Sequence, residues 1–159
     1  MTATPLVSQV HNRRRRAARP PILLVPGSYS GAWIWQHNFQ ASLHRAGHDV
    51  HAMSFAAHGQ RGLALNRRGL DAYVADLGAA VASLPAPPVL VAHSLGGLVA
   101  LKLAASTAVR GLALLAPIPT HGAWRSVLQL GLRSPTSLAK LAAIAIEPRL
   151  ARYGAPPDG

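Results

Sequence analysis

The sequence has no cysteine, few acidic residues and no long apolar segment. Without cysteine no disulfide can form, which fits a reducing compartment, and we therefore expect a cytoplasmic protein. A membrane-spanning helix needs about 18 consecutive apolar residues, and no run approaches that length, so no membrane span is predicted. The N-terminus does not resemble a secretory signal, because its apolar stretch after the arginines is predicted to be a strand.

Acidic residues are scarce enough to leave a large positive charge. The 159 residues include 16 Lys and Arg against 5 Asp and Glu, a formal net charge of +11. Five of the basic residues are clustered in residues 1–19, which we expect to be a basic flexible tail: Arg13, Arg14, Arg15, Arg16 and Arg19. Such a tail binds polyanions in a salt-dependent way, but no recognition helix or aromatic stacking pattern accompanies it. We expect no specific nucleic-acid partner; a solvated tail or a mis-set start site also explains the cluster.

Apolar residues along 20–118 alternate between strand-like runs and helical stripes. Four strands are predicted, within 20–27, 48–55, 88–93 and 111–118. Helices are predicted between them, over 35–46 with a cap at Gly47, over 70–84, and from residue 95 onward. Strands that alternate with helices of this length indicate an α/β protein, a three-layer sandwich whose mostly parallel sheet is covered on both faces.

A serine stands where one predicted strand passes directly into a helix. The run ends in His93-Ser94-Leu95-Gly96-Gly97, with the small residues Ala92 and Gly96 two positions on either side of Ser94. A turn of this kind holds the serine in a strained conformation that exposes its hydroxyl, so Ser94 is a candidate nucleophile. The simpler alternative is that Ser94 caps the helix that begins at Leu95.

Together with a second segment, Pro26 to Trp35, this turn resembles the α/β-hydrolase family of serine esterases and lysophospholipase-like enzymes. The resemblance extends from Pro20 to about Thr120 and implies a partial α/β-hydrolase fold of about four strands. It implies an oxyanion hole formed by the backbone N–H groups of Ser28 and Leu95, and a small-molecule ester or acyl substrate. Three residues are candidates for the pocket: Gly27, Tyr29 and His121.

The acid and base of the family's catalytic triad are missing from their usual places. The family order is serine, acid, histidine. After Ser94 the acidic residues are Glu147 and Asp158, and His121 precedes both. We therefore expect a truncated family member, and two hypotheses remain: a serine hydrolase acting through Ser94, or an inactive remnant or interaction module.

The remaining residues, 20–159, are expected to form one incomplete α/β-hydrolase domain. Two helical segments after Thr120 are predicted to begin a helical cap over residues 121–147; helices packed on the sheet are the alternative. No cofactor is expected, and no metal site, because His44 and His48 stand on either side of a helix end rather than on one helical face. Without a neighbour, strand 111–118 would expose an apolar edge and favour self-association.

Overall fold

In the computed structural model, residues 6–10, 19–28, 30–56, 69–120, 122 and 124–146 are described. They fall into two compact units, Met1–Pro117 and Ile118–Gly159. The first unit contains the sheet and its covering helices, and the second contains a pair of helices.

The first unit is built on a five-stranded sheet. Its strands are β1 (Leu6–Val10), β2 (Ile22–Val25), β3 (Val50–Ser54), β4 (Val89–His93) and β5 (Gly111–Leu115). The order across the sheet is β1-β3-β2-β4-β5, with β3, β2, β4 and β5 parallel and β1 antiparallel to β3. The predicted mostly parallel α/β sheet is confirmed.

Strand β1 lies inside the segment predicted to be a tail. It pairs with β3 from Leu6 opposite Ser54 to Val10 opposite Val50. This strand was not predicted from the sequence. An edge strand of five residues is stabilised mainly by pairing with its neighbour, and the local sequence pattern does not show that pairing. The arginine cluster at 13–16 lies outside the described residues.

Helical segments connect the parallel strands. The first begins as a 3₁₀ turn (Ala32–Trp35), widens into a π turn (Gln36–Gln40) and continues as helix α1 (Ala41–Arg45). It ends at Gly47, whose φ of +87° is the left-handed conformation typical of a helix C-terminus, as predicted. The other helices of this unit are α2 (Leu70–Ala82) and α3 (Leu95–Ala104).

The sheet separates two apolar clusters, one on each face. The helices α2 and α3 cover one face through Leu77, Val81 and Leu103, among others, against strand residues such as Leu23 and Leu90. On the other face Trp35 and Leu43 lie against a second set of strand residues: Ile22, Leu24, Val50, Ala52 and Val91. Strands buried on both faces explain the continuous apolar runs of β2 and β4.

Two aspartates of α2 have different surroundings. Asp71 is exposed, and its Oδ1 lies 2.6 Å from the Lys102 Nζ on α3. This ammonium lowers the pKa of the Asp71 carboxyl, first by hydrogen bonding and then by charge. Asp76, in contrast, is buried, and its Oδ2 accepts a hydrogen bond of 3.0 Å from the Ala56 N–H.

The second unit consists of α4 (Trp124–Arg133) and α5 (Pro135–Ile146). The chain turns between them at Ser134, whose N–H donates to the Leu130 carbonyl at 2.7 Å and whose carbonyl accepts from the Leu138 N–H at 3.1 Å. These are the two helical segments predicted after Thr120. No helix in the described part of the chain is long and apolar enough to cross a bilayer.

Candidate functional site

The candidate site lies where β2 and β4 end. The two strands are parallel neighbours with Val25 opposite Ala92, so the segments that follow them meet at the carboxyl edge of the sheet. After β2 the chain crosses to one face of the sheet, and after β4 it crosses to the other. In open α/β sheets this switch point is where ligands usually bind.

Ser94 adopts a strained backbone conformation between β4 and α3. Its φ is 51° and its ψ is −117°, a combination that costs a residue with a Cβ atom about 1–3 kcal/mol. Two backbone hydrogen bonds of 3.0 Å hold it there: the Ser94 N–H donates to the Leu115 carbonyl, and the Ser94 carbonyl accepts from the Gly97 N–H. The predicted sharp turn from strand to helix is present.

The Ser94 side chain does not cap α3. No hydrogen bond joins its hydroxyl to the amides of the helix's first turn. A capping serine normally accepts such a bond and has an extended backbone conformation, and Ser94 has neither property. The structure therefore argues against the capping alternative and leaves the half-buried hydroxyl available for other chemistry.

Glycines let α3 approach the neighbouring strand ends. A Cβ at Gly96 would overlap the Pro26 carbonyl oxygen and lie 3.0 Å from the Val25 carbonyl oxygen. A Cβ at Gly97 would lie 2.7 Å from the Cβ of Pro117, just after β5. Both glycines lie in the first turn of α3, two and three residues after Ser94. Their close packing therefore fixes the position of the serine.

The loop after β2 lies against Ser94. A Cβ built on Gly27 would be 3.0 Å from both the Ser94 Cβ and the His93 Nδ1. One hydrogen bond within the loop and one to β3 hold it in place: the Ser30 hydroxyl donates to the Gly27 carbonyl at 3.1 Å, and the Ala32 N–H donates to Ser54 Oγ at 2.9 Å. Gly27 is thus brought to Ser94 with Ser28 next in the chain, while Tyr29 lies outside the described residues.

Backbone donors are available at the start of α3. Leu95 is the first residue of this helix, and first-turn amides have no carbonyl partner within their own helix. They also lie at the positive end of the helix dipole, which favours a negative charge nearby. Ser28 follows Gly27, the loop residue that packs against Ser94.

The His93 side chain packs against the loop after β2. Its Nδ1 is buried beside Gly27 and has no hydrogen-bond partner within the described part of the chain. Alternation along a strand predicts opposite sides for neighbouring residues, but the turn at Ser94 ends that alternation. No sequence signal marked this packing.

The triad acid and base cannot be assigned among the described residues. His121, Glu147 and Asp158 lie outside them. Asp49 precedes β3 and so lies at the opposite end of the sheet from Ser94, 3.3 Å from the His51 Nε2. Within the described ranges, no three His, Asp or Glu side chains are close enough to hold a metal ion.

Comparison with protein families gives one match over most of the chain. A family model described as the alpha/beta hydrolase family matches residues 22–158. Among curated protein sequences no significant match is found.

Solved structures with this fold are numerous. Tomato methylketone synthase I, in complex with 2-tridecanone, is 29% identical with a TM-score of 0.55 over 64% of this chain and 41% of its own. A monoacylglycerol lipase from Paleococcus ferrophilus is 19% identical, with a TM-score of 0.56 over 82% of this chain and 52% of its own. AqDC, which cleaves the ring of the Pseudomonas quinolone signal, is 19% identical, with a TM-score of 0.60 over 79% of this chain and 47% of its own. This chain therefore spans about half the length of the structures it matches, or less.

Proposed function

This chain belongs to the alpha/beta hydrolase family, and from that premise we propose that it is a serine hydrolase acting on a carboxylic ester or a related acyl bond through Ser94. One observation supports this most: Ser94 has a φ of 51° at the junction of β4 and α3, and its hydroxyl makes no cap to the helix. A strained serine of this kind is typical of a nucleophile held above a sheet.

The proposed first step is attack of the Ser94 Oγ on the substrate carbonyl carbon. The carbonyl double bond becomes a single bond to a negatively charged oxygen, and the amides of Ser28 and Leu95 stabilise that charge. The carbonyl then re-forms and the bond to the alkoxide oxygen breaks. The proton that the base took from Ser94 passes to this oxygen, so a neutral alcohol departs and the acyl group stays on Ser94. Water later hydrolyses this acyl-serine to the free acid. Donors of this kind typically contribute about 100- to 1000-fold in rate.

A base must accept the serine proton, because an unassisted serine is a weak nucleophile at neutral pH. The resemblance implies a histidine in this role and a carboxylate that orients it. In this chain His121 follows Ser94 but precedes both later acidic residues, so it does not occupy the family's position for the base, and the triad acid and base are absent from their family positions.

An ester substrate is favoured by one comparison and not dictated by the fold. The Paleococcus ferrophilus protein is named as a monoacylglycerol lipase, whereas AqDC is named for ring cleavage, and both are similar to this chain in fold. Since one fold supports several chemistries, the assignment depends on Ser94 and its neighbours. We propose a small ester or acyl compound as the substrate.

A fluorophosphonate probe tests the proposal directly, because it phosphonylates activated serines. We would incubate the purified chain with the probe and measure its intact mass, with Ser94→Ala as the test variant. Ser106→Ala is the matched control, since the Ser106 hydroxyl donates to the Leu103 carbonyl at the far end of α3. We expect one adduct in the wild type and the control, and none in Ser94→Ala. A folded wild-type chain that forms no adduct would contradict the enzymatic proposal.

An interaction role is the second candidate, and the position of β5 favours it. This strand pairs with β4 on one side and ends the sheet order on the other, with Ala113 and Leu115 exposed. An unpaired strand with apolar side chains is a template for pairing with another chain. We propose a second copy of this chain as the partner. Sedimentation velocity tests whether the chain forms this dimer. Ala113→Pro should convert the dimer to a monomer, and a monomeric wild type would contradict the proposed self-association.

A further inference from the structure

Helix α4 carries a large exposed apolar surface that neither the fold nor the proposed chemistry explains. Its four largest exposed apolar side chains are Trp124 (59% exposed), Val127 (46%), Leu128 (55%) and Leu132 (78%). With about 100° between successive residues of a helix, these positions lie along one side of α4. We call these four side chains the α4 apolar face.

The opposite side of α4 is polar and basic. It carries the remaining polar residues of the helix: Arg125, Ser126, Gln129 and Arg133. A helix with such separated sides is amphipathic, and the apolar side of an amphipathic helix normally packs against something.

The α4 apolar face stays exposed although the same side of α4 also contacts α5. Contact between these two helices includes Gly131, where a Cβ would lie 2.9 Å from the Leu138 Cδ2. The turn between them is fixed by the backbone bonds at Ser134 and by the Ser134 and Ser137 hydroxyls, 2.8 Å apart. The contact with α5 therefore covers the backbone at Gly131 but leaves the four large apolar side chains exposed.

Within the described part of the second unit, the charged side chains all have one sign. Residues 118–146 contain no Asp or Glu, whereas they contain Arg125, Arg133 and Lys140. The Arg125 guanidinium lies 5.3 Å from the centre of the Trp124 ring, which places a cation beside the largest apolar side chain. This surface is therefore complementary to a partner that is both apolar and negatively charged.

We propose that α4 lies flat on an anionic lipid surface, with its apolar face buried among the acyl chains near the headgroups and its arginines against lipid phosphates. Tryptophan and leucine on one side and arginine on the other are the pattern of helices that lie in a membrane interface. An anionic bilayer offers both an apolar interior and a negatively charged surface. This role does not depend on the chemistry proposed for Ser94.

Vesicle sedimentation tests the proposal with the intact chain. The probes are vesicles of equimolar phosphatidylcholine and phosphatidylglycerol, with pure phosphatidylcholine for comparison. The test variant is the double substitution Leu128→Ser and Leu132→Ser, which leaves the charge unchanged. Gln129→Ser is the matched control on the polar side of the same helix, and circular dichroism checks that all three proteins fold alike.

We expect wild type and Gln129→Ser to bind the anionic vesicles, weakly at high salt, and to bind pure phosphatidylcholine less well. Loss of two leucines from the buried side should weaken anionic binding at least tenfold, because less apolar surface is then removed from water on binding. Unchanged binding of the double variant would overturn the proposal, because attraction would then come from charge alone, including the arginines at 13–16. Failure of the wild type to bind would overturn it equally.

A second measurement locates the contact. Bromine-labelled lipids quench tryptophans that enter the acyl region, so wild type should be quenched by anionic vesicles and Trp124→Phe should lose most of that quenching. Quenching that persists in Trp124→Phe would contradict insertion of α4. If the leucine variant instead converted a dimer to a monomer in lipid-free solution, the face would be an interface between copies, and the proposal would also fail.

Discussion

Gly27 faces Ser94 so closely that a Cβ built on the glycine would lie 3.0 Å from the Cβ of the serine. The loop after β2 and the turn after β4 are therefore in contact through backbone and Cβ atoms, with no long side chain between them. This close contact fixes the position of the loop relative to the turn. An added methyl group at Gly27 would therefore disturb the site.

Gly27→Ala should impair the proposed nucleophile. The new methyl group meets the Ser94 Cβ and the His93 Nδ1, so the loop must shift and carry the Ser28 amide with it. We expect fluorophosphonate labelling to slow about tenfold or more, since a displaced oxyanion donor loses much of its effect.

The Ser28 amide can be tested separately from its side chain. Ser28→Ala keeps the N–H and should label at the wild-type rate, whereas Ser28→Pro removes the donor and should label poorly. Equal labelling rates for Ser28→Pro and Ser28→Ala would argue against Ser28 as an oxyanion donor.

Gly96→Ala should destabilise the fold. Its methyl group would overlap the Pro26 carbonyl oxygen and approach that of Val25, and buried backbone cannot move aside easily. We expect a loss of about 1–3 kcal/mol in the free energy of unfolding, measured by urea denaturation.

Gly78→Ala, in the middle of α2, is the control, because its Cβ would meet only the Leu103 Cδ1 at an ordinary 3.5 Å. Alanine is the better helix former by about 0.5–1 kcal/mol, so this variant should be more stable than wild type. If both variants shifted stability in the same direction, the packing argument at Gly96 would be wrong.

Ser94→Gly should stabilise the protein while abolishing labelling. Glycine adopts a φ of 51° without strain, which recovers part of the 1–3 kcal/mol stored there, and the flexibility of glycine in the unfolded chain offsets roughly half. We expect a net gain of about 1 kcal/mol and a melting temperature about 2–4 °C higher. Ser94→Ala retains the Cβ and should melt close to wild type; identical melting of all three proteins would contradict strain at this position.

Asp76→Ala should cost about 1–3 kcal/mol in the free energy of unfolding, because it leaves the Ala56 N–H without its side-chain acceptor. Asp76→Asn keeps an acceptor oxygen and should recover part of the loss. The exposed Asp71→Asn serves as the comparison on the same helix and should change stability little. A larger loss for Asp71→Asn than for Asp76→Ala, by urea denaturation, would refute the structural role of Asp76.

The Asp71 and Lys102 pair should weaken in acid. Lys102 lowers the pKa of Asp71 in the folded chain, so the pair stabilises the fold above the unfolded pKa and loses that effect as the pH falls through the folded pKa. A carboxyl carbon NMR titration should show the Asp71 midpoint below its ordinary value, and Lys102→Met should raise it. Because the pair is exposed, salt should reduce the difference, and equal midpoints in both proteins would show that the contact does not form.

The sheet could be predicted from the sequence because its signals are local. Short apolar runs bounded by Pro and Gly marked β2 and β4, and both are buried on two faces in the structure. The last strand was predicted too long. The prediction covered 111–118, whereas β5 ends at Leu115 because the chain turns at Ala116, which has a φ of 43°. Such a conformation in alanine depends on tertiary contacts and has no sequence signature.

The sequence predicted which residues belong to the site, but it did not predict how they are arranged in space. The pattern around Ser94 predicted the turn, and the segment from Pro26 predicted the loop opposite it. Neither pattern could show that β2 and β4 are neighbours, because strand order arises from how the helices cross the sheet. The burial of Asp76 was missed for a similar reason: its partner, the Ala56 amide, is 20 residues away in the chain.

The central position of β2 in the sheet determines how its amides exchange with solvent. Its amides bond to β3 and β4, and helical segments cover both of its faces, so they can exchange with solvent deuterium only when most of the first unit unfolds. Amides of β5, with a neighbour on one side only, can exchange through local fraying. The slowest-exchanging amides should therefore lie in Leu23 and Leu24, and their rate would report the global stability of the unit from which the proposed nucleophile is displayed.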